Sequence, residues 1–180
     1  MAFRSLPAPL IRVGNSATSS FDSPNATRYD AEAGSWCAQF IFNANPAEMS
    51  GYVTPGGSES NEKFCDLVRR LLGRDTPTIC SRAAHYCVKR AAEMLGIRVV
   101  LWETDSSNAL DLLDFAGRLQ AERAAGRENV GVWLVIGTTL GQGRDNIASA
   151  VSILDQHCCG KDSRVVNVDA AFSGMTPPFI

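Results

Sequence analysis

An excess of charge of one sign is missing from this sequence. Its 17 lysines and arginines stand against 19 aspartates and glutamates, a net charge of −2 over 180 residues. No electrostatic footprint for DNA or RNA results, and no polybasic stretch marks a membrane surface. Long apolar runs are missing too: residues 130–136 form one of the longest, far short of the ~20 residues that a membrane span needs. There is no secretory h-region, so the Asn25-Ala26-Thr27 sequon has no route to glycosylation and the cytoplasm is the expected location. Arg4 and Arg12 without an acid nearby give a faint transit-like pattern, but Pro7 and Pro9 break any long amphipathic helix there. Metal-ligand spacing is absent as well. His157, Cys158 and Cys159 are consecutive and do not readily close one tetrahedron, so no metal is expected. The six cysteines are scattered through apolar periodic segments and read as reduced thiols, with Cys80 and Cys87 as small buried hydrophobes.

What is present is a globular composition. With 45% hydrophobic and 20% charged residues, the chain has enough apolar material for a sizeable core and the length of one domain or part of a larger one. Residues 1–30 are rich in Ser, Asn, Pro and Ala without periodicity and read as an irregular arm. Residues 31–43 carry Trp36, Cys37, Phe40 and Ile41 at helical spacing, closed by Asn45-Pro46. From there the pattern alternates. Helices are predicted over 58–72, 86–95, 109–125 and 145–157, and strands over 76–80, 97–102, 130–136 and 164–169. Continuously apolar strands separated by helices of ten residues or more predict an α/β fold, a mostly parallel sheet with helices on its faces.

Ligands of such sheets sit beyond the carboxyl ends of the strands, so the informative residues lie where strand turns into loop. Gly56-Gly57-Ser58-Glu59-Ser60-Asn61 runs into a helix, which admits two readings: a phosphate cradle of free N–H groups, or an ordinary capped helix start. Gly137-Thr138-Thr139-Leu140-Gly141-Gln142-Gly143 follows the most strand-like run but is neither a dinucleotide fingerprint nor a P-loop. Asp145 beyond it reads as a favourable charge at a helix start. Asp169 ends a strand beside small residues, Ala170 and Ala171, where a carboxylate either pairs with a protonated heteroaromatic nitrogen or serves as a loop or cap residue. His85, just before a helix, either lies on a ligand's face or points to solvent.

Taken in order, these motifs resemble the group II pyridoxal-phosphate-dependent amino-acid decarboxylases, histidine/serine branch. The segment from Gly51-Tyr52-Val53-Thr54-Pro55-Gly56-Gly57-Ser58 to Asn61 is similar to that family's phosphate loop, and Ala84-His85-Tyr86-Cys87-Val88-Lys89-Arg90-Ala91-Ala92 to its His-Tyr-Ser-Val-x-Lys-Ala-Ala segment. Ile136-Gly137-Thr138-Thr139 with Asp145-Asn146-Ile147, and Val168-Asp169-Ala170-Ala171-Phe172-Ser173-Gly174-Met175 with Pro178-Phe179, resemble two further signatures. Val13-Gly14-Asn15 and residues 25–30 look like the segment upstream of the loop, so the likeness runs from about residue 11 to residue 180.

The resemblance implies the aspartate-aminotransferase fold, fold type I, with residues 31–180 as the first part of its cofactor-binding large domain. It implies pyridoxal 5'-phosphate as cofactor, a small amino-acid substrate with histidine favoured, and a homodimer. By the same resemblance Gly57 and Ser58 contact the phosphate, His85 stacks on the pyridine ring and Thr139 lies against the cofactor. Asp169 pairs with the ring nitrogen, and Ala171 packs on the ring. The family's Schiff-base lysine follows a histidine on a later strand. Lys63, Lys89 and Lys161 all precede Asp169 and none has that context, so a fragment lacking this lysine, inactive alone, is expected. Its last strand would leave an unpaired sheet edge. Asn167, Pro55 and Gln142-Gly143-Arg144 depart from the family's usual residues. Two other readings stand beside a decarboxylase: a non-catalytic cofactor-binding or dimerisation module, and another fold type I enzyme such as an aminotransferase.

Overall fold

The computed structural model describes residues 27–49, 51–157 and 161–175. The upstream likeness around Val13-Gly14-Asn15, the pair Cys158 and Cys159, and Pro178-Phe179 lie outside the described residues. The chain separates into two compact units that divide between Pro55 and Gly56.

In the first unit, α1 (Thr27–Trp36) widens into a π-helical turn (Cys37–Ile41) and is followed by a short 3-10 turn (Pro46–Glu48). The helix begins earlier than its apolar stripe predicts, so residues 27–30, read as part of an irregular arm, are helical. Asp30 in the first turn opposes the helix dipole and Arg28 pairs with Glu32 one turn on, at 2.8 Å. Asn43 takes a left-handed φ of 48°, and Asn45 accepts from the Ala47 N–H to start the next turn.

The second unit is a four-stranded, wholly parallel sheet in the order β2-β1-β3-β4, formed by β1 (Thr78–Ser81), β2 (Val99–Trp102), β3 (Val130–Val135) and β4 (Arg164–Asp169). Cys80 stands between Leu101 and Trp133, and Val135 lies opposite Asp169. Helices α2 (Gly57–Leu71), α3 (Tyr86–Leu95), α4 (Leu112–Ala124) and α5 (Ile147–His157) cover the two faces. The expected bounds of α3 and β4 are met to the residue, and the alternation holds throughout.

Alternation along the strands sorts two cores. Cys80, Trp133 and Val135 face Phe64, Cys65 and Val68 of α2 and Val88 and Ala91 of α3; Ile79, Val132 and Leu134 face Phe115 and Leu119 of α4 and Ala150 and Leu154 of α5. Each core holds an edge-to-face aromatic pair, Phe64 with Trp133 at 4.8 Å and Trp102 with Phe115 at 5.2 Å. Gly131 lets α2 approach the sheet, since a Cβ there would stand 2.8 Å from Val68 Cγ2 and 2.9 Å from Thr78 Oγ1. The thiols of Cys65 and Cys80 are fully buried, and burial pushes both up to about 12, so they stay neutral in the core.

Several boundaries shift by one to three residues, and two of the shifts have a reason in the hydrogen bonds. The strand expected from residue 76 starts at Thr78, because Thr76 turns its Oγ1 back onto the Leu72 carbonyl at 2.8 Å and Pro77 has no N–H to contribute. The helix expected from residue 109 starts at Leu112, because the Leu110 N–H is drawn to the Asp145 carboxylate at 2.7 Å and Asp111 caps α4 through the Leu113 and Asp114 N–H groups.

Candidate functional site

The strand order places a topological switch between β1 and β3: the chain passes from β1 to β2 on one side and sets β3 and β4 on the other. The loops leaving β1 and β3 therefore diverge, and a crevice opens at their carboxyl ends. A cleft of roughly 310 Å³ lies there, within the range of small-molecule sites.

Its first wall is the start of α2. Gly56 occupies the N-cap position without a side chain to cap the turn, so Gly57 and Ser58 present the helix's positive end to the cleft. A Cβ on Gly57 would lie 3.2 Å from the Ala171 Cβ. Both residues must be small for these backbones to approach.

The second wall is His85, which follows β1 and caps α3. Its Nδ1 accepts from the Cys87 N–H at 3.4 Å, and its ring lies 4.4 Å from that of Tyr86. This cap fixes the imidazole where it borders the cleft. The sequence left His85 between a ligand's face and solvent; the structure sets it at the cleft and gives it a capping bond that neither reading contained.

The third wall is a closed loop after β3. Gly137 and Thr138 both donate to the Gly143 carbonyl, and the Gly143 N–H returns to Thr138 Oγ1 at 2.8 Å. Thr138 is thereby buried in holding the loop together, leaving Thr139 exposed at the cleft. Gly137 has φ of 91° and lies so close to Ser173 that a Cβ would collide with it, which ties this loop to the turn after β4.

Asp145, expected as a favourable charge at a helix start, stands just before α5 but does not cap it. Asn146 takes that place, accepting from the Ser149 N–H at 3.0 Å. The Asp145 carboxylate is buried and accepts from the Val135 N–H at 2.8 Å and the Leu110 N–H at 2.7 Å, fastening the end of β3 to the segment before α4. Burial pushes its carboxyl above the usual range, and those two N–H groups partly offset the shift.

The floor is Asp169 at the end of β4. Its Oδ1 accepts from the Ala171 N–H at 3.1 Å and its Oδ2 from Asn61 Nδ2 at 3.0 Å. Asn61 is itself buried in α2 and makes a second bond to Cys87 Sγ at 3.1 Å. Cys87 is thus buried as expected, but it also borders the cleft and accepts a hydrogen bond.

The six residues singled out from sequence, Gly57, Ser58, His85, Thr139, Asp169 and Ala171, all line this one cleft. Asn61 and Cys87 join them without having been assigned a role. The signal for Asn61 was available: it is a polar residue in the stripe Asn61, Phe64, Cys65, Val68, the buried face of an amphipathic helix. The described lysines Lys63 and Lys89 do not line the cleft.

Comparison with known proteins follows this geometry. No family model matches. The chain is 33% identical over 140 residues to histidine decarboxylase of Klebsiella aerogenes, covering 78% of this chain and 36% of the relative. It is 29% identical over 173 residues to serine decarboxylase 2 of Oryza sativa subsp. japonica, covering 96% and 34%. It thus spans about a third of the length of these curated relatives. L-methionine decarboxylase of Streptomyces sp. 590 superposes with a TM-score of 0.81 at 16% identity, over 97% of this chain and 48% of that one. The Oryza sativa TDC structure with PLP and tryptamine gives 0.68 at 21% identity, over 84% and 34%.

The fold is the one these decarboxylase structures share, fold type I, here a four-stranded parallel sheet with flanking helices. In sequence the curated proteins that the chain is similar to are histidine and serine decarboxylases, in line with the resemblance carried by the motifs. No helix among the described residues is long and apolar enough to cross a membrane.

Proposed function

We propose that the full-length protein is a pyridoxal-phosphate-dependent amino-acid decarboxylase with histidine as substrate. The observation that carries this reading is the convergence of an uncapped helix start, an imidazole and a strand-end carboxylate on one cleft at the sheet's switch point. The donor set suits the cofactor. The Gly57 and Ser58 N–H groups meet a phosphate dianion, His85 covers a planar ring, and the small Ala171 leaves room for that ring. Asp169 holds a proton on the ring nitrogen by pairing with it. When bound, the cofactor supplies an electron sink for the electron pair left as carbon dioxide departs. Thr139 at the loop edge orients the group laterally, and the bonds that close residues 137–143 hold that edge in place.

The reading needs a lysine nucleophile; the described lysines Lys63 and Lys89 do not line the cleft, and by the family resemblance this lysine follows a histidine on a strand later than Asp169. A homodimer and a cytoplasmic location belong to the same reading. The test is to reconstitute the full-length protein with pyridoxal phosphate and follow carbon dioxide release from histidine, serine and an aromatic amino acid. Release from histidine well above the other two is expected. Cofactor binding with transamination and no carbon dioxide would replace the reading by an aminotransferase, and binding with no turnover of any amino acid would replace it by a cofactor-binding module.

A further inference from the structure

We infer that Asn61 is a positioning residue for Asp169, and that α2 thereby ties the phosphate end of the cleft to its ring-nitrogen end. This rests on the reading above that Asp169 pairs with the ring nitrogen. Asn61 lies one helical turn beyond Ser58 and is 3% exposed. Its amide nitrogen carries two hydrogens, and the two bonds it makes, 3.0 Å to Asp169 Oδ2 and 3.1 Å to Cys87 Sγ, use both of them. An amide held at both hydrogens has no rotational freedom left. On the other side of the carboxylate the Ala171 N–H donates to Oδ1 at 3.1 Å. Each carboxylate oxygen is therefore gripped by one neutral donor, and each keeps a further lone pair for a ligand.

The geometry couples two distances that a planar phosphorylated ligand must satisfy together. Helix α2 is packed against the sheet through Phe64, Cys65 and Val68, so its first turn and Asn61 move as one body. A ligand whose phosphate sits on Gly57 and Ser58 meets a carboxylate whose rotation is fixed from the same helix. Without Asn61, the carboxylate would have to be oriented by the ligand itself, at a cost in affinity.

The test uses the full-length protein and two cofactors, pyridoxal phosphate and its 1-deaza analogue, in which a C–H replaces the ring nitrogen. Dissociation constants are read by absorbance and fluorescence titration, not by turnover. Asn61→Leu, close to isosteric and suited to a buried site, is expected to weaken pyridoxal phosphate about tenfold and to change the deaza analogue less than about twofold. Asn61→Ser, too short to reach Asp169, should behave alike and guards against a folding failure of the first variant. Equal weakening of both cofactors marks a merely structural residue and overturns the inference. Unchanged discrimination in both variants, while Asp169→Ala abolishes it, overturns the role of Asn61 alone. A wild-type protein that does not discriminate, with Asp169→Ala equally indifferent, removes the nitrogen pairing and so the underlying reading together with the inference.

Discussion

The two ends of the parallel sheet treat charge in opposite ways. At the amino end, Arg98 just before β2 forks onto Glu122 of α4 at 2.6 and 2.7 Å, and Arg127 adds a third bond at 3.0 Å. Charge there is spent on charge, and Glu122 is buried with its partners in place. At the carboxyl end, Asp169 is gripped by two neutral N–H groups and borders a cleft. A carboxylate saturated by guanidinium contributes to stability, whereas one oriented by neutral donors keeps acceptor capacity for a ligand. Asp145 shows that position alone does not decide this. It too lies at the carboxyl end and accepts one neutral N–H on each oxygen, yet it is buried and does not line the cleft, so it works as a brace.

This contrast is open to direct attack. The largest effect belongs to Asp169→Ala in the full-length protein, where turnover should fall by more than about a hundredfold, the scale of losing a preorganised electrostatic contact. The thermal midpoint should scarcely move. Near-normal steady-state rates would put Asp169 in the same structural class as Asp145.

Next comes Asp145→Asn. Its new NH2 must face either the Val135 or the Leu110 N–H, and a buried donor left facing a donor costs about 2 kcal/mol, measurable by denaturant unfolding. Glu122→Gln should cost somewhat less, on the order of 1 to 2 kcal/mol, because the amide still accepts from one arginine. The two carboxylates also differ in sign with pH. The Arg98 hydrogen bond, with Arg127 assisting, holds the Glu122 carboxyl below its ordinary 4.5, so its stabilisation is present above that value and is lost as pH falls through the lower folded value. Asp145, raised by burial, runs the other way: its ionisation costs stability as pH climbs from its ordinary 3.8 to the higher folded value. Unfolding curves between pH 3 and 6 should therefore flatten on the acid side for Glu122→Gln and not for Asp145→Asn.

The smallest change is expected from His85→Ala. Losing the cap of α3 should cost roughly 1 kcal/mol, and under the proposed function the absorption band of pyridoxal phosphate added to the full-length protein should shift. An unchanged spectrum with the same loss of stability would leave His85 as a cap and nothing more.

Much of this was readable without coordinates. The bounds of α3 follow from a histidine start and from Gly96, which takes a left-handed φ of 66° to end the helix; those of β4 follow from an apolar run stopped by an aspartate. The junctions that carry the cleft were legible in local residue types, whereas the choice of all six residues, Thr139 above all, came with the family resemblance. The starts of β1 and α4 were not legible, since Thr76 and Leu110 are diverted by a carbonyl and a carboxylate that periodicity does not contain.

By itself, the sequence determined the alternation of helix and strand, the apolar faces and the residues available at each junction. These are consequences of side-chain period and backbone preference within a few positions of chain. Only the tertiary structure decided that β3 crosses to the far side of β1, opening the cleft, and that Asn61 reaches Asp169 across 108 positions of sequence. Strand order and such long-range bonds depend on how two cores pack against one sheet at the same time, a cooperative outcome that no local segment encodes alone.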